Sequence, residues 1–97
     1  MAIDVEWQDE RGKRLSRYDG PPIDSRLPDS ASPDSVCLRF IDPYGDTTFN
    51  QAQVAELEKE LATVDGAGDV AQQAKSLLSF VKQVHDRTHR YLKFIGD

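Results

Sequence analysis

Two aspartates flank a short turn of the sequence, D-P-Y-G-D at 42–46. Asp42 and Asp46 could share a calcium or magnesium ion with Asp97 if the last segment folds beside the turn, because these cations prefer carboxylate oxygens. A calcium loop, however, supplies several more oxygen ligands within about a dozen residues. The spacing therefore favours ordinary turn chemistry over a metal site, and we predict no metal and no cofactor.

The two histidines, His85 and His89, are spaced i, i+4. On one continuous helix they would share a face and could hold a transition metal. The sequence T-H-R-Y-L at 88–92 already changes toward a strand pattern, so we expect the helix to end between them. Histidines near a helix C-terminus are also favoured by the free carbonyl groups there, which needs no metal.

Arg39 is a charge inside the apolar run V-C-L-R-F-I at 36–41. An unpaired charge in a core is strongly unfavourable, so a buried arginine needs a carboxylate partner. We predict a structural ion pair between Arg39 and Asp97, with Asp42 and Asp46 as the other available partners. A substrate-binding role for Arg39 is the alternative.

Tyr44 lies at the tip of the acidic turn, between two carboxylates. An exposed aromatic ring beside acidic groups is suited to contact with a basic protein. Two glutamates of the following helix extend this acidic face. The predicted partner-binding residues are Asp42, Tyr44, Asp46, Glu56 and Glu60.

The single cysteine, Cys37, excludes an intrachain disulfide and is typical of an intracellular protein. It lies in an apolar run, where cysteine usually behaves as a small buried hydrophobe. The sequence contains no G-x-S-x-G, no P-loop and no paired-cysteine motif. We therefore predict no catalytic residue and consider an enzyme the less favoured class.

Charge is unevenly distributed over the 97 residues, whose net charge is −5. Residues 21–69 carry ten acidic and three basic side chains, a net charge of −7. Nucleic acid is disfavoured as a partner because phosphate binding needs clustered Lys and Arg. The N-terminus shows no signal-peptide pattern and no apolar run approaches the ~20 residues of a membrane span, so we expect a cytoplasmic protein without membrane contact.

Alternation of apolar and polar residues predicts strands in the first half of the chain. Residues 2–7 alternate clearly, 14–18 can return as a second strand, and 36–41 reads as a central strand followed by a short strand at 47–49. The Pro/Asp/Ser-rich stretch at about 19–35 is predicted to be a loop, because proline interrupts both helices and ladders. Ile23 and Leu27 are its only apolar anchors.

Helical periodicity follows. Asn50 with Gln53 matches a capping box, and one apolar stripe runs to about residue 64. A second helix should run from about 69 to 86, and period two returns at 88–97. The predicted fold is one α+β domain over 1–97, with a mainly antiparallel sheet of four to five strands and a two-helix antiparallel hairpin packed on one face.

The block C-L-R-F-I-D-P-Y-G-D-T-T-F-N at 37–50, with the ending Y-L-K-F-I-G-D at 91–97, resembles a family of short uncharacterised bacterial proteins. The shared pattern is CLRFIDPYGDTxFN and YLxFIGD. The resemblance covers about a third of the chain and implies a small bacterial domain. No activity is known for that family, so it supplies no catalytic residues.

Three functions remain open on these grounds. The leading hypothesis is a protein-interaction domain whose acidic face binds a basic partner, for instance an immunity protein of a toxin system. The first alternative is a small enzyme or divalent-metal module using the acidic turn, Arg39 and a histidine. The second is a homodimer with a purely structural role.

Overall fold

The computed structural model describes residues 2–84 and 86–96. Its elements, in chain order, are β1 (Asp4–Asp9), β2 (Arg14–Arg17), α1 (Arg26–Asp29), a 3₁₀ helix (Leu38–Phe40), β3 (Asp46–Phe49), α2 (Gln51–Thr63), α3 (Asp69–Lys82) and β4 (Arg90–Ile95). The four strands form one sheet in the order β2-β1-β4-β3, in which all neighbouring strands are antiparallel. The predicted α+β class is confirmed, with a sheet of four strands.

The sheet is organised around β4, the last strand of the chain. Val5 and Trp7 of β1 lie opposite Phe94 and Leu92 of β4, and Phe49 of β3 also lies opposite Leu92. All five side chains are buried. In β3 and β4 their neighbours along the strand are exposed or half-buried, as period two predicts, whereas in β1 Glu6, between Val5 and Trp7, is buried as well. The C-terminal segment is therefore tied into the sheet, as the sequence predicted.

Helices α2 and α3 supply the other side of the same core. They contact each other, and α2 also contacts β3 and β4. Their buried side chains include Val54, Leu57, Leu61, Ala74, Leu77 and Val81. None of the helices in the described ranges has the length and apolar character that crossing a bilayer requires.

The start of α2 follows the predicted capping box. The Asn50 side chain accepts a hydrogen bond from the Gln53 backbone N–H, and the Gln53 side chain accepts one from the Asn50 N–H, both at 2.9 Å. Two donors that the helix itself cannot satisfy are paired in this way. α3 is shorter than predicted: it ends at Lys82, not near residue 86.

The predicted central strand at 36–41 is wrong. Residues Leu38–Phe40 form a 3₁₀ helix, in which the N–H groups of Phe40 and Ile41 donate to the carbonyls of Cys37 and Leu38. Cys37, Leu38 and Ile41 are buried, whereas Val36, Arg39 and Phe40 are exposed. Buried positions at 37, 38 and 41 have the spacing of a helical turn. An apolar run with one charge is compatible with a strand as well as with a helical turn, so the sequence did not distinguish them.

Several contacts attach the Pro/Asp/Ser-rich stretch at 19–35 to the domain. Ile23 and Leu27 are buried, as predicted, and the Ile3 N–H donates to the Ile23 carbonyl at 2.7 Å. The Asp24 N–H donates to the Gln73 side chain of α3 at 3.1 Å. The stretch also contains α1, a one-turn helix that we did not predict. Pro28 fits there because the first turn of a helix leaves its N–H groups unpaired in any case.

The acidic turn packs against the end of β4. The Gly96 N–H donates to the Gly45 carbonyl at 2.8 Å, and a Cβ added at Gly96 would lie 2.5 Å from the carbonyl carbon of Pro43. Because these neighbours are backbone atoms, they cannot rotate away. The G in the ending F-I-G-D therefore has a steric reason to be glycine.

We predict that Gly96→Ala lowers the free energy of unfolding by about 1–3 kcal/mol, the usual range for overpacking. Chemical denaturation followed through Trp7, the only tryptophan of the chain, measures this change. Gly68→Ala is the matched control, since a Cβ there meets no atom within 4 Å. A loss for Gly96→Ala no larger than the control's would contradict the steric explanation.

Candidate functional site

The five predicted partner-binding residues lie in two separate places. Asp42, Tyr44 and Asp46 belong to the turn that precedes and opens β3, whereas Glu56 and Glu60 lie on α2. The charge of Asp46 is paired with Lys93 of β4 at 3.4 Å. Glu56 and Glu60 line one cavity of the protein, and Tyr44 lines another.

Tyr44 is highly exposed, at 69% of its surface. It lines a small cavity of about 410 Å³ together with Asp24, Ser25, Arg26 and Pro43. Arg26 is held there by Asp24 at 2.9 Å, and this pairing lowers the pKa of the Asp24 carboxyl to about 2. The surroundings of Tyr44 are therefore mixed in charge.

A larger groove of about 780 Å³ lies between α2 and the stretch 30–38. Its lining residues are Ser30, Ala31, Ser32, Asp34, Ser35, Val36, Leu38, Glu56, Glu60, Thr63, Val64, Asp65 and Val70. Four of them are acidic, and none is a lysine, arginine or histidine. We call this site the acidic groove, and it is the candidate functional site.

Glu60 fixes one wall of the acidic groove. Its carboxylate accepts hydrogen bonds from the Ser35 hydroxyl at 2.5 Å and from the backbone N–H groups of Val36, Cys37 and Leu38 at 3.0, 3.3 and 2.7 Å. Backbone N–H groups of a strand would pair with a neighbouring strand, but here a carboxylate from α2 takes them. This interaction is the physical reason why residues 36–41 do not form the predicted strand.

The hydrogen bonds to the Glu60 carboxylate also change its pKa. Burial by itself would raise the pKa of this carboxyl group. The Ser35 hydroxyl and the amides of Leu38, Val36 and Cys37 stabilise the charged form more strongly, so that the pKa is lowered below its ordinary value of 4.5. Glu60 therefore carries a negative charge that the fold itself uses.

Two apolar side chains next to this wall point to solvent. Val36 and Phe40 expose 60% and 55% of their surface. The guanidinium of Arg39 lies 4.3 Å from the centre of the Phe40 ring, and its Nε donates to the Ser35 carbonyl at 2.6 Å. Arg39 is thus exposed on a 3₁₀ helix and not enclosed by a strand, and its predicted partner Asp97 lies outside the described residues.

Cys37 has no features of a nucleophile. It is buried, and its Sγ donates to the Gln53 carbonyl at 3.3 Å. Burial raises the pKa of the thiol, and the nearby charges of Glu60 and Glu56 raise it further. The thiol is therefore protonated at neutral pH and acts as a small apolar side chain, as the sequence indicated.

The histidine pair cannot be judged as a pair, because His85 lies outside the described residues. His89 does not belong to α3, and its Nδ1 lies 3.2 Å from a carboxylate oxygen of Glu10. Within residues 2–84 and 86–96, no group of three or more His, Cys, Asp or Glu side chains is arranged to hold a metal ion.

Sequence reasoning missed most of the acidic groove. Asp34 and Val36 belong to the stretch 30–38, Asp65 lies between α2 and α3, and Val70 lies in α3. No local spacing connects these three segments. Only Glu56 and Glu60 had a visible signal, since i, i+4 places them on one face of a helix. Both residues line the acidic groove.

We predict that Glu60→Gln lowers the free energy of unfolding by about 2–3 kcal/mol, because an amide cannot accept from all four donors and leaves N–H groups unpaired. Glu56→Gln is the matched control, since Glu56 is exposed and its carboxylate pairs with another exposed side chain, Lys59, at 3.3 Å. The control should lose less than about 0.5 kcal/mol. Urea denaturation compares the two, and equal losses would contradict the structural role of Glu60.

The stability difference between the wild type and Glu60→Gln should depend on pH. A carboxyl whose pKa is lowered by folding stabilises the protein fully above its ordinary pKa of 4.5, and this contribution is lost as the pH falls through the folded-state pKa. Denaturation at several pH values should therefore give a constant difference above about pH 5 and a shrinking one below. Asp24 is present in both proteins, so its own titration cancels. A difference that stays constant down to the lowest pH would disprove the assignment.

Comparison with known proteins assigns no role to the acidic groove. No protein-family model, curated protein or solved structure matches the chain. The geometry of the groove is therefore the basis for a functional assignment.

Proposed function

We propose that this protein is an interaction domain that binds a basic protein partner through the acidic groove. The main observation in support of this proposal is the lining of the groove, which combines four carboxylates with apolar surface and includes no cationic residue. Charged groups of one sign in a concave site attract and orient a partner of the opposite sign. The apolar lining supplies the contact area that charge alone does not.

The charge around the turn at 42–46 is partly compensated, which favours the acidic groove as the partner-binding site. Asp46 is neutralised by Lys93, and Tyr44 stands beside Arg26. Of the residues predicted from the sequence, Glu56 and Glu60 thus belong to the proposed site, with Asp34 and Asp65 added. Asp42, Tyr44 and Asp46 would contribute at most to a second, peripheral contact.

The small size, the net charge of −7 over residues 21–69, Tyr44 on the acidic turn and the lack of a catalytic motif suggest a concrete form of this proposal. An immunity protein, which would block the basic active site of a toxin in the cytoplasm, needs a small rigid domain with an acidic contact surface. We further infer that α2 and α3 form an antiparallel hairpin on one face of the sheet and act as the scaffold behind the groove.

The proposal predicts that a partner is captured through the groove. Immobilised wild-type protein should retain a basic protein from the lysate of its source organism at low salt and release it as salt rises. The triple variant D34N/E56Q/D65N should retain at least about tenfold less of it, because three of the four groove charges are removed.

The control variant E10Q/D19N/D29N removes three exposed acidic charges outside the groove lining and should retain the partner. Equal loss in both variants would show that only overall charge matters, which contradicts a specific site. Unchanged capture by the groove variant would reject the groove. Thermal unfolding of all three proteins shows that each is folded.

A further inference from the structure

Strand β2 lies at one edge of the sheet. In the described part of the chain it pairs with β1 alone, since the strand order is β2-β1-β4-β3. All four of its residues are exposed, and Leu15 shows 44% of its surface. An edge strand of this kind has backbone N–H and C=O groups with which a further strand can pair.

The backbone of Arg17 points to this free edge. The Tyr18 N–H donates to the Val5 carbonyl at 2.9 Å, so residues 5 and 18 form a hydrogen-bonded pair. Hydrogen-bonded and non-hydrogen-bonded pairs alternate along an antiparallel ladder, and the next pair, Glu6 with Arg17, is therefore of the second kind. The N–H and C=O of Arg17 thus face away from β1 and are open to a neighbouring strand.

A β-bulge brings two arginines to the same face of this edge. Gln8 lies opposite Arg14, and Glu6 lies opposite Arg17. Because Glu6 and Gln8 are alternate residues of β1, they share one face of the sheet, and the residues opposite them lie on that face as well. A regular strand would place residues 14 and 17 on opposite faces. The register shift between Trp7 and Gln8 adds one residue to β2 and so puts both arginines on one face.

The hairpin that carries β2 is locally basic. Residues 11–17, R-G-K-R-L-S-R, contain four basic side chains and no acidic one. Arg17 pairs with Asp4 at 3.7 Å, and both side chains are more than half exposed. Such an exposed pair contributes little to stability, so the arginine can exchange its partner. Among the described residues, Arg14 belongs to none of the ion pairs.

We propose that the free edge of β2 binds an extended acidic segment of a partner protein, which adds to the sheet as a further strand. Backbone hydrogen bonds, including those to the open groups of Arg17, align the segment. Its Asp or Glu side chains pair with Arg14 and Arg17. This site is separate from the acidic groove, because it lies on another element and selects the opposite charge.

Charge and backbone together select this occupant. If two copies of β2 paired about a twofold axis with their centres aligned, Arg14 of one copy would face Arg17 of the other, and like charges directly opposite each other are unfavourable. A nucleic acid would meet the arginines with its phosphates, but it has no strand of amide groups to continue the ladder. An acidic polypeptide in extended conformation satisfies both the charge and the edge.

A synthetic peptide tests this proposal with the purified full chain. The probe is fluorescein-labelled Gly-Glu-Val-Glu-Val-Glu-Gly with blocked ends, whose glutamates share one face when it is extended. It is titrated at low salt and followed by fluorescence anisotropy. We expect saturable binding that weakens at least about tenfold for R14Q/R17Q and stays within about twofold for K75Q/K82Q, which removes two exposed charges of α3. Equal weakening in both variants, or no binding of the probe at millimolar concentration, would overturn the proposal.

A second pair of variants separates strand pairing from charge. Arg17→Pro and Arg17→Gln both remove the guanidinium, but proline also removes the outward N–H, a donor that the ladder with β1 does not use. Arg17→Pro should therefore bind the probe at least about fivefold more weakly than Arg17→Gln. Equal binding would show that charge alone attracts the peptide, which contradicts strand addition. Thermal unfolding shows whether each variant is folded.

Backbone-methylated peptides make the same test without altering the protein. Amides of alternate residues point to opposite edges of an extended segment. Methylation of the glutamate nitrogens and methylation of the valine nitrogens should thus have unequal effects: one abolishes binding and the other leaves it within about threefold. Equal effects would overturn the proposal. Tighter binding of an oligodeoxythymidine than of the probe, or a dimer of the protein alone that Arg17→Pro dissociates, would do so too, since the occupant is then a nucleic acid or a second copy.

Discussion

The carboxylate of Glu60 is the interaction on which the acidic groove depends. It takes up three consecutive backbone N–H groups of residues 36–38, which the following 3₁₀ helix leaves without partners of their own. The N–H groups of Cys37 and Leu38 are partly buried, and leaving such a donor without an acceptor costs about 1–3 kcal/mol. One side chain of α2 therefore decides the backbone conformation of a distant segment, and with it the shape of the groove wall.

The segment that follows is held at its other end by the sheet. The Gly45 carbonyl accepts from the Gly96 N–H at the end of β4, and the Pro43 backbone fills the space that a side chain at Gly96 would need. Residues 35–45 are thus fixed at both ends, with Leu38 and Ile41 buried between them. This explains how Val36 and Phe40 can remain exposed on a well-anchored segment.

The charge distribution along the sequence does not by itself show which acidic side chains are paired in the folded protein. The sequence placed most of the negative charge in residues 21–69, but it did not show that basic residues from the C-terminal third would meet part of it. Lys93 pairs with Asp46, and Arg87 pairs with Glu58 of α2. Among the described residues, the carboxylates that line the acidic groove have no such partner from β4.

The sequence alone determined the local elements of this protein. Period two placed β1, β2 and β4, and the capping box of Asn50 and Gln53 located the start of α2, because these signals depend on neighbouring residues only. The tertiary structure determined the backbone conformation of residues 36–41 and formed the groove. An apolar run containing one charge satisfies a strand or a helical turn equally well, and the choice was made by Glu60, which lies more than twenty residues away in the chain. Asp34 and Asp65 likewise became neighbours of one cavity only through packing, since no spacing along a single element relates them.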